Sequence, residues 1–288
     1  MKVLSFGEVL WDVYENSKYI GGAPLNFAAH FKKCGGEARI ITAVGCDSLG
    51  QETISAIKAL GIGTDYITIS EKHTGRCLVK LDENQVPSYN LLDDVAYDFI
   101  QKPDFNAEKF DVLYFGTLAM RNEHNRDTLK QIIDENVSAE VFVDMNIRPP
   151  FYGVDVVKFA CKNATILKIS DEELPVVLKF LNFKEESLEK TISKIAETFD
   201  NLKLIIITRG GEDSTVFDCV SKKVHNRSAE KVQVVSTVGA GDSFSASFLA
   251  KYMETKDIPK ALDFSAKISG YVVSKKEAIP DYDISDFT

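Results

Sequence analysis

The chain has 288 residues, 44% of them hydrophobic and 27% charged, which is the composition of an ordinary globular protein of one or two domains. Its net charge of −9 argues against nucleic acid or an anionic membrane as the main partner, because both require a basic surface. The scattered cysteines, which lack C-x-x-C spacing, predict a reduced, cytoplasmic protein. Glu8 places an acid too early for a secretory signal, and no apolar run reaches the ~20 residues needed to span a bilayer.

Short apolar runs alternate with helical patterns along most of the chain. The apolar runs predict strands at Val3–Phe6, Arg39–Val44, Val112–Phe115, Val141–Val143, Ile166–Ile169, Leu204–Thr208 and Val232–Val235. Helical spacing and end signals predict helices at 24–33, 48–60, 123–136, 171–181, 186–199, 242–253 and 258–274. This alternation is typical of an α/β fold whose mostly parallel sheet is covered by helices on both faces.

The stretch from Thr74 to Leu92 interrupts the alternation. Cys77, Val79 and Leu81 recur at every second position, and the polar run at 82–85 predicts a turn before a second extended segment. The pattern predicts a β-hairpin outside the main sheet, with an ordinary edge hairpin as the alternative.

The segment Ser236–Asp242 is the most informative part of the sequence. A predicted strand leads into the turn Gly239–Gly241, and a helix follows with Asp242 in its first turn. A helix start offers unpaired N–H groups and positive dipole charge, and glycines let the backbone approach an anion closely. Asp242 can serve as a base beside a bound phosphate. The alternative is a plain tight turn with an acid at the helix start.

Two more polar strings lie near predicted strand or helix ends. Asp12 follows the first strand, at the edge where open α/β folds bind ligands, and a carboxylate there can accept hydrogen bonds from hydroxyls. Gly21 and Gly22 precede a helix that carries Asn26 in its first turn. A solvated loop acid and a plain loop-to-helix junction are the alternatives.

Three further strings come later in the chain. Arg148 lies in Asp-x-Asn-x-Arg after a strand, where it could also be paired internally. Ser170 and Glu173 have the spacing of a capping box after Lys168. Thr208 leads into Gly210 and Gly211, which also suit a plain β-turn.

Together these strings resemble the ribokinase/PfkB family of sugar kinases, and are most similar to bacterial fructokinases. The second family signature is matched by Thr237, Gly239, Ala240, Gly241, Asp242 and Phe244, whereas Ser236 replaces the usual Asp. Gly21–Ala29, together with Gly35, Gly36 and the later segment 43–50, resembles the first family signature. The resemblance implies a single kinase domain over 1–288 with a ribokinase-like three-layer fold. A small β lid would be formed by about 11–22 and 74–98.

The family resemblance implies ATP-dependent phosphorylation of a sugar hydroxyl, above all conversion of D-fructose to fructose 6-phosphate. Asp242 would be the base, with the N–H groups of Gly239, Ala240 and Gly241 at the transferred phosphoryl group. The implied sugar contacts are Asp12, Gly22, Asn26 and Arg148.

The nucleotide contacts that the resemblance implies are Lys168, Ser170, Thr208, Gly210 and Gly211. It also implies Mg²⁺, with Glu173 acting on it through water, a monovalent cation (K⁺) near Ser236, and a homodimer paired through the lid.

Several alternatives remain at this point. A kinase for 2-keto-3-deoxygluconate, ribose or a nucleoside is the alternative of the same class, and a silent sugar- or nucleotide-binding regulator is the alternative of another class. The sequence has no P-loop, no G-x-G-x-x-G string and no G-x-S-x-G string. Its four histidines show no metal-ligand spacing.

Overall fold

A computed structural model describes residues 1–81, 87–135, 137–184 and 186–287. The turn predicted at 82–85 lies outside the described residues. The strands are β1 (Lys2–Phe6), β2 (Leu10–Val13), β3 (Lys18–Gly21), β4 (Glu37–Gly45), β5 (Ile67–Ser70), β6 (Gly75–Leu81), β7 (Pro87–Leu91), β8 (Phe110–Gly116), β9 (Ser138–Asp144), β10 (Ile166–Ser170), β11 (Leu204–Arg209), β12 (Asp213–Asp218) and β13 (Lys223–Ser228).

All seven predicted helices are present, with ends shifted by a few residues. The helices are α1 (Ala23–Lys33), α2 (Ser48–Ala59), α3 (Glu123–Asp134), α4 (Val154–Asn163), α5 (Leu174–Leu181), α6 (Leu188–Thr198), α7 (Ala240–Thr255) and α8 (Ile258–Val273). Short 3-10 helices lie at Ala96–Phe99, Ala119–Arg121 and Ile284–Phe287. None of the described helices is long and apolar enough to cross a membrane.

The main sheet has nine strands in the order β13-β12-β11-β10-β9-β8-β1-β4-β5. Pairing is parallel from β11 to β5 and antiparallel only at the β11–β12 and β12–β13 contacts. One buried cluster joins one face of the sheet to α3, α4, α5 and α6, and another joins the opposite face to α1, α2, α7 and α8. The predicted three-layer α/β fold is therefore confirmed.

A second sheet of four strands stands apart from the main one, in the order β3-β2-β6-β7. Its β6–β7 pair is the hairpin predicted from the period-2 pattern, and Cys77 and Val79 are buried whereas Lys80 is exposed. Asp12 lies within β2, opposite Cys77 of β6 in the parallel register. The hairpin is therefore part of a separate sheet and is not an edge of the main one.

The strand predicted at Val232–Val235 is wrong. The segment has no strand partner among the described residues, and Val234 and Val235 are 60% and 51% exposed. The backbone N–H groups of Val235 and Ser236 donate instead to the carbonyl of Val273 at the end of α8, at 2.8 and 3.2 Å. An apolar run beyond the edge strand β13 thus joins the helix layer.

Candidate active site

A large cavity runs along the carboxyl ends of the parallel strands, from β1 to β11. Its volume is about 2090 Å³, whereas a pocket for one drug-sized ligand is typically about 300–1,000 Å³. The chain proceeds from β1 to β4 on one side and from β8 to β11 on the other, so the sheet changes direction at β1 and β8. Open α/β sheets bind ligands at such a point. The cavity has room for two ligands side by side.

The start of α7 lies at the middle of this cavity. Gly239 precedes the helix with φ of 78°, and a Cβ there would lie 2.5 Å from the carbonyl oxygen of Ala278, so the position requires glycine. The N–H of Ala240 donates to the carbonyl of Thr237 at 3.2 Å, which occupies one of the three N–H groups predicted to bind phosphate. The first N–H groups of a helix have no partner inside it, and here they lie at the cavity wall with Asp242.

Asp242 faces the cavity, but protein surrounds its carboxylate. Burial raises the pKa of Asp242 to about 6; the negative charge of Asp144 also raises it, while the hydrogen bond from Asn26 and the positive charges of Lys168 and Arg148 lower it. The Asn26 amide nitrogen donates to Asp242 Oδ2 at 2.8 Å. The two signature segments, 216 residues apart in sequence, therefore meet at one carboxylate.

One end of the cavity is lined by the four-stranded sheet. Asp12 lies on β2, and a Cβ on Gly21 would be 3.5 Å from its Oδ2 atom. Burial raises the pKa of Asp12, although a hydrogen bond from Cys77 and the charge of Arg148 oppose this. Arg148 is exposed to the cavity, while Gly22, with φ of 116°, lies between Asp12 and α1. The predicted sugar contacts thus share this end.

A buried ion pair lies below the other end. Lys168 Nζ donates to both carboxylate oxygens of Asp144, at 3.0 and 2.8 Å, and the two side chains are only 6% and 4% exposed. Burial lowers the pKa of Lys168, but the charges of Asp144 and Glu173 outweigh it and the net shift is upward. Ser245 of α7 also donates to Asp144, at 2.9 Å. Lys168 therefore stays charged beneath the start of α7.

Ser170 and Glu173 form the predicted reciprocal pair. The N–H of Ser170 donates to one carboxylate oxygen of Glu173 at 2.8 Å, and the Glu173 N–H donates to the Ser170 hydroxyl at 3.3 Å. The other Glu173 oxygen accepts the N–H of Ile147 at 2.7 Å. Glu173 thus holds two cavity loops together, and each oxygen keeps a further lone pair for water.

Thr208, Gly210 and Gly211 lie at the end of β11 and in the turn before β12, and all three line the cavity. Ser236 accepts the Val238 N–H through its hydroxyl at 3.2 Å, so it closes the local turn. Among the described residues, no group of three or more acidic, His or Cys side chains suits a metal ion.

The structure brings all the predicted site residues to this one cavity. Two polar cavity residues beside Asp12 were not among the predicted ones. Glu8 lines the same end as Asp12, and Cys77 contacts Asp12. An acid directly after the first parallel strand was a signal for Glu8. Ser245 could not be predicted, since its contact with Asp144 spans 101 residues.

Residues 2–284 match the model of the pfkB family carbohydrate kinases. The chain belongs to this family and is a sugar kinase.

Relatives and solved structures agree with the family. An uncharacterized sugar kinase of Pyrococcus horikoshii is 28% identical over 93% of this chain and 85% of its own length. A fructokinase of Salmonella typhimurium is 27% identical over 80% of this chain and 76% of its own. The structure of a Vibrio cholerae fructokinase with fructose, ADP and calcium superposes with a TM-score of 0.84 at 21% identity, covering 99% of this chain and 98% of that one. At 21% identity, the similarity to the Vibrio cholerae structure shows a shared fold only.

Proposed function

We propose that this chain transfers the γ-phosphoryl group of ATP to D-fructose and forms fructose 6-phosphate. The observation that carries the proposal is the position of Asp242 between the two ends of one cavity, with a pKa of about 6. A base with this pKa is ionised at neutral pH and still accepts a proton readily. Two proteins of the same fold support binding of a sugar and a nucleotide in one cavity. They are the Vibrio cholerae fructokinase with fructose and ADP, and the P. horikoshii kinase with ATP.

The residues at the sugar end position one hydroxyl for reaction. Asp12, Gly22 and Asn26 bind the sugar, and Asp242 takes the proton from the attacking hydroxyl. The N–H groups of Gly239 and Gly241 and the positive end of α7 stabilise charge on the transferred phosphoryl group, while the Ala240 N–H stays bonded to Thr237. This end therefore supplies orientation and proton removal.

The residues at the other end bind the nucleotide. Lys168, Ser170, Thr208, Gly210 and Gly211 are the proposed contacts. Mg²⁺ usually binds through one or two carboxylates together with substrate phosphates and water, and the carboxylate of Glu173 at this wall would act on the ion through water. When bound, the ion would neutralise phosphate charge. The proposal includes a K⁺ site near Ser236, whose hydroxyl also accepts the Val238 N–H in the local turn.

The four-stranded sheet is proposed to act as a lid that excludes water from the sugar and to pair two subunits. Its inner face carries Asp12 and Cys77 at the cavity. The half-buried Leu78 alternates with Cys77 and belongs to the outer face, where a partner would pack. Sedimentation analysis tests the dimer: Leu78→Glu should convert it to monomer, and a wild-type monomer would contradict this part.

One observation favours a second substrate. Arg148 is exposed in the cavity beside Asp12, and a guanidinium suits a carboxylate well. A keto-deoxy sugar acid such as 2-keto-3-deoxygluconate is therefore the second candidate. Fructose 6-phosphate fits less well, since Lys80 of the lid is exposed and does not line the cavity, which leaves few cations at the sugar end to hold a second phosphate.

Coupled ADP release across D-fructose, 2-keto-3-deoxygluconate, ribose, adenosine and fructose 6-phosphate tests the proposal. The highest kcat/KM is expected with D-fructose. If the sugar acid leads, Arg148 is its carboxylate clamp and the fructose assignment fails. If nothing is phosphorylated while sugar and nucleotide bind, the chain is a silent binding protein.

A further inference from the structure

Glu8 is a buried acid that the proposed mechanism does not use. It follows β1, is 1% exposed and lines the cavity with Asp12 and Asn26. A Cβ on Gly22 would lie 2.5 Å from the Glu8 carbonyl oxygen, so the turn into α1 passes directly over this residue. A buried carboxylate is costly unless it is paired, and its place at this wall calls for an explanation.

The protein satisfies the Glu8 carboxylate only in part. The N–H groups of Glu8 and of Ala23, the first residue of α1, lie against it, and α1 has no capping side chain of its own. Burial nevertheless dominates and raises the pKa of Glu8 to about 7. No donor in the described part of the chain reaches Oε2. The carboxylate thus braces the helix start and keeps unused acceptor capacity.

A second unpartnered acceptor lies on the same side of the cavity. Asn26 gives its amide N–H to Asp242, and its Oδ1 atom is also buried with no donor among the described residues. Glu8 and Asn26 flank the turn at Gly22 and Ala23. Two such acceptors suit a ligand that presents O–H groups, and they disfavour a phosphate or carboxylate at this wall, because Glu8 and Asp12 would repel it.

We infer that Glu8 is a further sugar-binding residue, which accepts a hydrogen bond from a hydroxyl of the substrate and selects for a hydroxyl at that position. The inference rests on the proposed sugar site. The sugar site then has hydrogen-bond acceptors at Glu8, Asn26 and Asp12, and a donor, Arg148, in the loop after β9.

The test uses Glu8→Gln in the full-length protein, since glutamine keeps the shape and removes the charge. D-fructose kcat/KM should fall about 10–150-fold, the usual effect of losing a hydrogen bond to a charged group, with KM for ATP unchanged. Fructose analogues that each lack one hydroxyl identify the partner. With the analogue that lacks the hydroxyl bound by Glu8, the kcat/KM of the wild type should fall by a similar factor, and Glu8→Gln should lower kcat/KM no further.

Glu108→Gln is the matched control, because Glu108 bonds to Lys2 and Tyr66 far from the cavity. It should leave the fructose KM unchanged. Glu8→Asp, which withdraws the carboxylate by one methylene, serves as a second variant and should show an intermediate loss. Unchanged fructose kinetics in Glu8→Gln would overturn the inference. So would equal damage to the kinetics of both substrates together with a lower Tm, which would mean that Glu8 only braces α1.

If wild type does not use fructose but phosphorylates another sugar of the panel, the same variants and deoxy analogues are measured with that sugar. The failure of the fructose assignment is then separate from the failure of the Glu8 assignment.

Discussion

Asp242 combines two properties that oppose each other in water. It remains ionised at neutral pH, yet burial makes its carboxylate more basic than an exposed one, with a pKa of about 6. The hydrogen bond from Asn26 fixes its direction. Burial thus sets the basicity of Asp242, and a neighbour on another helix holds its carboxylate in place.

Asp242→Asn should nearly abolish turnover while sugar and ATP still bind. The amide keeps the size of the side chain but cannot accept the proton, and losing a general base typically costs about 10²–10⁴-fold in rate. The measurement is kcat by ADP release, with binding of both ligands followed by calorimetry. A variant that keeps more than about a tenth of the wild-type kcat would show that Asp242 is not the base.

Asn26→Ala should move the acid limb of the pH profile of kcat to higher pH. Asp242 must be ionised to act, so activity falls as pH drops through its pKa, and removing the Asn26 hydrogen bond raises that pKa further. The profile is recorded at saturating sugar and ATP. Asn90→Ala is the control, because Asn90 is a cavity amide on the four-stranded sheet. An unchanged midpoint in Asn26→Ala would contradict the role given to this bond.

At the scale of elements, the site is held where neighbouring strands end. The Lys168–Asp144 pair joins β10 to β9, and Ser245 attaches the same carboxylate to α7. Glu173 fixes the loop after β9 to the turn after β10. The start of α7 is therefore attached to β9 directly and to β10 through the carboxylate that Ser245 and Lys168 share.

Lys168→Met should destabilise the protein by about 3–5 kcal/mol, because it leaves the Asp144 carboxylate buried without its partner. Lys203→Met is the matched control one strand further along. Its pair with Glu140 is 2.6 Å long but Lys203 is 53% exposed, and such pairs contribute about 0–1 kcal/mol. Urea unfolding measures both. Equal unfolding midpoints for the two variants would refute the importance of the buried pair.

The elements that could be predicted from the sequence carry strong local signals. α1 begins near Pro24 and α2 ends just before Gly61, because proline and glycine act through the local backbone. The helix α4 was missed although Val156, Val157 and Ala160 have helical spacing, since Gly153 and two prolines precede it and resemble a loop. The short strands β2 and β3 were expected only as part of a lid.

The part of the site that lies in sequence motifs could be predicted. Gly239 and Gly22 are required by their positive φ and by the backbone next to them, so their pattern in the sequence is strong. The roles of Glu8 and Ser245 depend on contacts between distant segments. The strand wrongly predicted at Val232–Val235 has the same cause. Burial of Glu8 and attachment of Val235 to α8 are properties of packing that no local spacing reveals.

At the scale of the whole molecule, the four-stranded sheet is joined to the main body by buried apolar side chains of β2 and β6, among them Leu10 and Cys77, and by polar and aromatic contacts of Trp11. Trp11 on β2 is the only tryptophan in the sequence, and its indole N–H donates to Thr53 of α2 at 2.9 Å. Lys18 Nζ lies 5.0 Å from the Trp11 ring centroid. The next residue, Asp12, faces the cavity. Any movement of β2 toward the sugar must therefore change the surroundings of the indole.

Saturating D-fructose should change the emission of Trp11, whereas ATP alone should leave it nearly unchanged, because the nucleotide end is built by other strands. A fluorescence titration measures this, and calorimetry under the same conditions gives the bound fraction. Thr53→Val is the control: it removes the acceptor of the indole N–H, so it should alter the emission of the free protein and reduce the change on sugar binding. Constant emission at a concentration where calorimetry shows saturation would mean that the four-stranded sheet does not move when sugar binds.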